Sequence, residues 1–209
     1  TIERLAIEGK TAVVVKKDNQ TIGVVAFADA PRSEAAASIR RLKELGIAHV
    51  TMLTGDNRQT AAAIAAKVGL ENWISDLFPD EKVVEVQKLQ EAWENVAMVG
   101  DGVNDAPALA ASGVGIAMGA AGTDISLEAA DIVLMSDDLS RLPYVVDLGR
   151  KTIAVMRQNI AFSLAVKFIF VLLALPGWLT LWLAVVGDTG VSLLVILNGM
   201  RLLRARMTD

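Results

Sequence analysis

The 209-residue chain has no cysteine, one histidine (His49), one tyrosine and five prolines. Without cysteine there is no disulfide scaffold, no cysteine-based zinc finger and no thiol nucleophile. A single histidine excludes a histidine-rich metal site and a Ser/His triad with a spare. Aromatic residues are scarce, 5% against 16 glycines, the balance of a Gly-rich α/β domain rather than a β-sandwich. Apolar residues reach 53% and charged residues only 21%, too apolar for a disordered chain. The length suits one ordinary domain, or one domain plus something small.

The net charge of −4 is unevenly spread. Residues 1–150 hold 22 acidic and 14 basic side chains, and residues 151–209 hold 2 and 6. The acidic first part argues against a nucleic-acid partner. The basic second part also carries the apolar runs, a pattern of membrane segments with cytoplasmic flanks. The opening TIERLAIEGK has no signal-peptide shape and no Met. The chain is expected to be a piece of a longer polypeptide.

Two β-rich runs, 11–16 and 22–27, flank a turn at Asp18-Asn-Gln20 and predict a hairpin. Pro31 forbids strand continuation, and Ser33 is expected to cap a helix over 34–45 that Gly46 ends. Strand 49–53, helix 57–68, helix 80–93, strand 96–99, short helix 105–111, strand 114–118, helix 124–130 and strand 132–135 follow. Strands separated by helices in this way predict βαβ units and a parallel sheet.

Two loops after predicted strands stand out. They are Thr54-Gly55-Asp56-Asn57 and Gly100-Asp101-Gly102-Val103-Asn104-Asp105. In an open parallel sheet, ligands bind outside the carboxyl ends of the strands. Neighbouring strands there would gather a hydroxyl, freed backbone N–H groups, an amide and two carboxylates. Clustered carboxylates call for a hard cation, and Mg²⁺ takes a few oxygen ligands plus a phosphate. Thr54 and the N–H groups around Gly55 suit a phosphoryl group, and Lys82 can supply charge to its oxygens. Each element alone has a plainer reading: Thr-Gly-Asp and Gly-Asp-Gly are common turns, Lys82 a solvated helix residue, His49 structural. A dinucleotide fingerprint is excluded, because Asp105 stands where its last glycine belongs. The combination favours phosphoryl transfer on Mg²⁺.

Between Arg157 and Arg201 lie 43 residues with two charges, Lys167 and Asp188. A helix of that length would reach ~65 Å, twice a ~30 Å hydrocarbon core. Pro176-Gly177 near its middle predicts a helical hairpin that crosses twice, with both ends cytoplasmic beside Arg150, Lys151, Arg157, Arg201, Arg204 and Arg206. The alternative is a buried hairpin of a soluble protein. Lys167 and Asp188 fall ~14 Å and ~17 Å from the turn, near mid-membrane, where they can meet. Asn159, Ser163 and Lys167 share one helix face; Asp188, Ser192 and Gly199 share another. On position alone, a structural ion pair and an ion-pathway site both remain open.

Thr54-Gly-Asp56, Lys82 and Gly100-Asp-Gly-Val-Asn-Asp-Ala-Pro107 resemble motifs of the haloacid-dehalogenase-like phosphotransferases, in the form found in P-type ATPases. Asp29-Ala-Pro-Arg32 resembles the hinge of those pumps. Gly115–Gly119, Gly122-Thr-Asp124 and Glu128–Asp131 resemble the heavy-metal-transporting subclass. Lys167 with Asp188-Thr-Gly190 is similar to the zinc, cadmium and lead exporters rather than the copper pumps.

The resemblance implies an α/β, Rossmann-like parallel sheet with flanking helices, followed by a two-helix transmembrane hairpin. It implies the end of a nucleotide-binding domain and hinge strands over 1–28, a phosphorylation domain over 29–140, and the last two membrane helices over 141–209. Asp101 would bind Mg²⁺ with support from Asn104 and Asp105. Thr54, Gly55 and Asp56 would position the phosphoryl group with Lys82 as its cationic partner. Asp29 and Arg32 would serve the hinge. Asp188 would ligate Zn²⁺, Cd²⁺ or Pb²⁺, with Lys167 as counter-ion. ATP would be the phosphoryl donor. The family's Asp-Lys-Thr-Gly-Thr motif is not among the 209 residues. Its phosphorylated aspartate would come from upstream domains of the same polypeptide, in a multi-pass plasma (bacterial inner) membrane protein. Rival readings are a copper or potassium pump, a membrane-tethered phosphatase of the same superfamily, and a non-catalytic scaffolding subunit.

Overall fold

In a computed structural model, the structure describes residues 4–5, 11–27, 31–101, 104–119, 128–136 and 138–204, without the side chains of Thr11 and Arg204. Valine-rich runs make β1 (Thr11–Lys17) and β2 (Gln20–Phe27), an antiparallel ribbon. Asp18 and Asn19 turn the chain with φ of 47° and 66°, the left-handed pair that matches strand twist in a two-residue hairpin. Val13, Ile22, Val25 and Phe27 of this ribbon remain exposed, Ile22 by 63%.

Helix α1 (Ala35–Glu44) starts one residue later than predicted, and Ser33 does not cap it. The Ser33 hydroxyl instead donates to the neighbouring Glu34 carboxylate at 3.0 Å. Gly46, at φ 81°, ends the helix as expected. Strand β3 (Thr51–Leu53) is shorter than predicted. His49 stays outside it, with its ring 3.9 Å from that of Trp93.

Asn57 caps α2 (Arg58–Val68) by accepting from the Thr60 N–H at 3.0 Å, and Gly69 closes it at φ 76°. Strand β4 (Asn72–Ile74) pairs in parallel with β3. Its residues, Asn-Trp-Ile, are too few and too mixed to signal a strand in sequence. Pro79 opens α3 (Pro79–Ala92), and Glu81 fastens the first turn by accepting from the Phe78 N–H at 2.8 Å.

Then come β5 (Ala97–Gly100), α4 (Ala106–Ala111), β6 (Val114–Met118) and β7 (Ile132–Leu134). Strands β5, β6 and β7 form a parallel sheet in that order. Among the described residues, β3–β4 and β5–β6–β7 are separate, so β3 and β5 each keep an unpaired edge. Of the helix expected over 124–130, only 128–130 are described, and 128 and 129 are helical.

The core is built from small and branched side chains, including Ala61, Ala65, Val86, Leu109, Ile116 and Leu134. Glycine matters most at Gly115, where a methyl group would lie 2.8 Å from the Leu109 carbonyl oxygen. The Gly115 N–H donates to the Asp131 carboxylate at 2.8 Å, and the Asp131 N–H returns to the Gly115 carbonyl at 2.9 Å. Gly115→Ala is expected to destabilise the protein by about 1–3 kcal/mol through overpacking. A thermal melt of the variant checks it, with an unchanged midpoint as the contrary result.

The chain divides into two compact units, Thr1–Leu142 and Pro143–Asp209. Asp138 precedes the long helix α5 (Arg141–Ala174) and accepts from the Ser140 N–H at 2.9 Å. Hydrogen bonds from the Ser140 side chain and N–H, with the Arg141 guanidinium beside them, hold the Asp138 carboxyl below its ordinary range. This contribution is present at neutral pH and is lost as the pH falls through the lowered value.

In the second unit, α5 gives way to a turn at Pro176-Gly177, with Gly177 at φ 80°. Thr180 caps α6 (Leu181–Met200), which continues as a short 3₁₀ turn over Arg201–Arg204. Both helices are long enough to cross a membrane, and each contains an 18-residue stretch of mean hydropathy 1.5 and 1.8 respectively.

Candidate functional site

The first loop follows β3. The Thr54 hydroxyl donates to the Asp56 carboxylate at 3.0 Å, while the Asp56 N–H donates back to the Thr54 Oγ1 at 3.1 Å. The Leu77 N–H donates to the Thr54 carbonyl at 3.1 Å, and the Asp76 N–H to the Asp56 carbonyl at 2.8 Å. Thus the 54–56 loop is sewn to the segment leading into α3. A methyl group at Gly55 would come within 3.2 Å of the Leu77 carbonyl oxygen, so glycine permits this approach.

Lys82, in the first turn of α3, reaches the second loop. Its ammonium donates to Asp105 Oδ1 at 2.7 Å. The two side chains are only 17% and 15% exposed, so this pair is well shielded from solvent. Charges so enclosed need partners of opposite sign, which fixes both groups. Gly100, the last residue of β5, makes room for the carboxylate, because a methyl group there would lie 2.8 Å from Asp105 Oδ2. A lysine that the sequence marks only as a cation near phosphate is therefore the strut between the two loops.

Asp101 and Asn104 are exposed on the same loop as Asp105. Gly102 and Val103 lie outside the described residues. The donors are carboxylate, amide and hydroxyl oxygens, which match a hard cation such as Mg²⁺. Among the described residues no cluster of three or more His, Cys, Asp or Glu side chains offers an all-protein cage. Two carboxylates on one loop, Asp101 and Asp105, fit Mg²⁺, which commonly shares its shell with phosphate and water.

This strand-end arrangement coincides with a family-model match to "haloacid dehalogenase-like hydrolase" over residues 1–113. The chain belongs to that hydrolase family. Within it, the chain matches the heavy-metal-transporting P-type ATPases. It is 50% identical over 205 residues to the cadmium-transporting ATPase of Staphylococcus aureus, covering 98% of this chain and 28% of that protein. It is 46% identical to the zinc/cadmium/lead-transporting P-type ATPase of Escherichia coli (strain K12), again over 98% of this chain and 28% of the other. Among solved structures it is similar to a zinc-transporting PIB-type ATPase, with a TM-score of 0.83 and 44% identity. That match covers 97% of this chain and 33% of the solved one. The chain thus spans less than a third of the length of the curated relatives it matches.

Of the hinge residues read from the sequence, Asp29 lies outside the described residues. Arg32 is exposed, and its carbonyl accepts from the Ala35 N–H at 3.0 Å, just ahead of α1.

In the second unit of this family member, Lys167 and Asp188 are both exposed on the hairpin surface. The two charges, which depth alone would let meet, form no ion pair among the described residues. Ser192 lies one turn beyond Asp188 and donates to its backbone carbonyl at 3.0 Å. The polar contact between the helices lies elsewhere: the Asn198 amide donates to Asn159 Oδ1 at 2.8 Å. Asn159 belongs to the stripe read from the sequence, but Asn198 was missed. Its signal was available: both amides lie next to the basic end of an apolar span, where an unpaired amide is costly.

Proposed function

We propose that this chain is the phosphoryl-handling and final membrane-hairpin portion of an ATP-driven exporter of divalent heavy-metal ions. On this reading residues 1–28 end the nucleotide-binding domain, 29–140 form the phosphorylation domain and 141–209 the last two transmembrane helices. The observation that supports the reading is the Lys82–Asp105 contact at 2.7 Å, which joins α3, whose leading segment is bonded to the 54–56 loop, to the second strand-end loop. The transport of cadmium and of zinc, cadmium and lead by the relatives supports the cargo class.

The Gly55 N–H and the Thr54 hydroxyl, once it turns from the Asp56 carboxylate to which it donates here, hold the phosphoryl oxygens. Lys82 stands ready to donate a hydrogen bond to a phosphoryl oxygen as charge builds there, with Asp105 aiming it. Asp101 and Asp105, helped by Asn104, are the residues to hold Mg²⁺. When bound, Mg²⁺ supplies positive charge to the transferring phosphoryl group. The nucleophilic aspartate comes from another part of the polypeptide, and ATP is the donor. The unpaired edges of β3 and β5 leave room for its strand. Asp29 and Arg32 serve the hinge to the nucleotide-binding domain. The hairpin spans a bacterial inner membrane with its ends and the α/β unit on the cytoplasmic side, as the basic flanks indicate. Asp188 ligates the exported ion, and Lys167 balances its charge between ions. An anchor for a phosphatase would need neither charge in mid-membrane.

Asp101→Asn in the intact protein is expected to lower zinc-stimulated ATP turnover by about a thousandfold, as loss of a principal electrostatic ligand does. Turnover near that of the unmodified protein would sink the assignment.

A further inference from the structure

The two helices of the hairpin are fastened twice, and both fastenings share one register. Near the basic ends, the Arg201 guanidinium donates to Asn198 Oδ1 at 3.0 Å. Asn198 Nδ2 then donates to Asn159 Oδ1 at 2.8 Å, and Asn159 Nδ2 to the Val195 carbonyl at 3.4 Å. Oxygen and nitrogen of both amides are thus used. Deeper in the hairpin, the ring of Phe170 lies on Gly187 so closely that a methyl group there would collide with it.

From Asn159 to Phe170 is 11 residues, and from Asn198 back to Gly187 is also 11. The register set by the amides is therefore the register set by the ring. It places Lys167 level with Gly190, and Asp188 about 3 Å further toward the turn at ~1.5 Å per residue. A slip of one helical turn, ~5.4 Å, would break the amide chain and take the ring off its glycine.

We infer that Asn159 and Asn198 are positioning residues, an interhelical amide clamp that holds Lys167 and Asp188 at matched depth for the exported ion. The inference rests on the proposed role of Asp188, and the clamp itself touches no ion. Small residues and side-chain amides are the usual means of joining helices in lipid, where apolar surface gives little preference for a neighbour. Removing one amide leaves the other without its interhelical partner, whereas removing both frees only the Arg201 guanidinium, which is exposed to water.

The test uses the intact protein in liposomes and titrates zinc-stimulated ATP turnover. The variants are Asn159→Leu, Asn198→Leu, the double variant, and Asp188→Ala as control. Each single variant is expected to raise the zinc concentration for half-maximal turnover about tenfold, with kcat within about twofold. The double variant is expected to be no more impaired than either single variant, because the two amides act as one unit, and its thermal midpoint to exceed that of either single variant. A double variant as impaired as the sum of the singles would overturn the clamp and make each amide act by itself. Singles without effect would overturn it too. Full zinc response in Asp188→Ala would instead remove the ion-ligand reading. The clamp is then judged on the thermal midpoints alone, where additive losses refute it.

Discussion

Lys82→Ala is expected to abolish phosphoryl turnover and to lower stability by about 2–3 kcal/mol. The stability loss sits just below the ~3–5 kcal/mol typical of breaking a fully enclosed pair, because some solvent reaches both groups. The substitution leaves the Asp105 carboxylate beside Gly100 with its cation gone. It also removes the strut from α3 to the second loop, so the 54–56 loop and the 101–105 loop lose their common anchor. Lys82→Arg keeps the charge but not the compact ammonium, and is expected to restore stability more than turnover. Single-turnover phosphorylation by ATP, with a thermal melt on the same sample, separates the two effects. Turnover within tenfold of the unmodified protein in Lys82→Ala would show that the strut is not part of the chemistry.

Asp188→Ala is expected to remove zinc transport while leaving nucleotide binding intact. A carboxylate exposed on a membrane hairpin is too expensive to carry without use, and no ion pair with Lys167 offsets it among the described residues. The alanine variant would still fold, because the register depends on Asn159, Asn198, Phe170 and Gly187. Zinc uptake into inverted vesicles, measured beside binding of a nucleotide analogue, gives the answer. Undiminished uptake would refute the ligand role.

The sequence showed the parallel α/β frame, the hairpin ribbon and the two apolar helices, because each rests on local pattern. Gly46, Gly69 and Pro176-Gly177 stop their helices through backbone geometry that a single residue dictates. The two loops were legible for a similar reason: glycine, hydroxyl and carboxylate sit next to one another in sequence. What the sequence hid depends on distance. Strand β4 exists because β3 lies beside it, and its three residues carry no period of their own. Ser33 has the chemistry of a cap, yet its hydroxyl found Glu34 first. Lys82 and Asp105 are 23 positions apart, and Asn159 and Asn198 are 39 apart, so neither pair leaves a local trace. Depth alone lets Lys167 and Asp188 meet, but it does not fix which way a side chain leaves its helix.

The β1–β2 ribbon carries a practical consequence. Two strands with Val13, Ile22, Val25 and Phe27 open to water make a sticky surface that nothing among the described residues covers. Trimming the chain before Pro31, or changing Ile22 and Phe27 to threonine, is the natural first step toward a water-soluble preparation of the α/β unit for crystallisation.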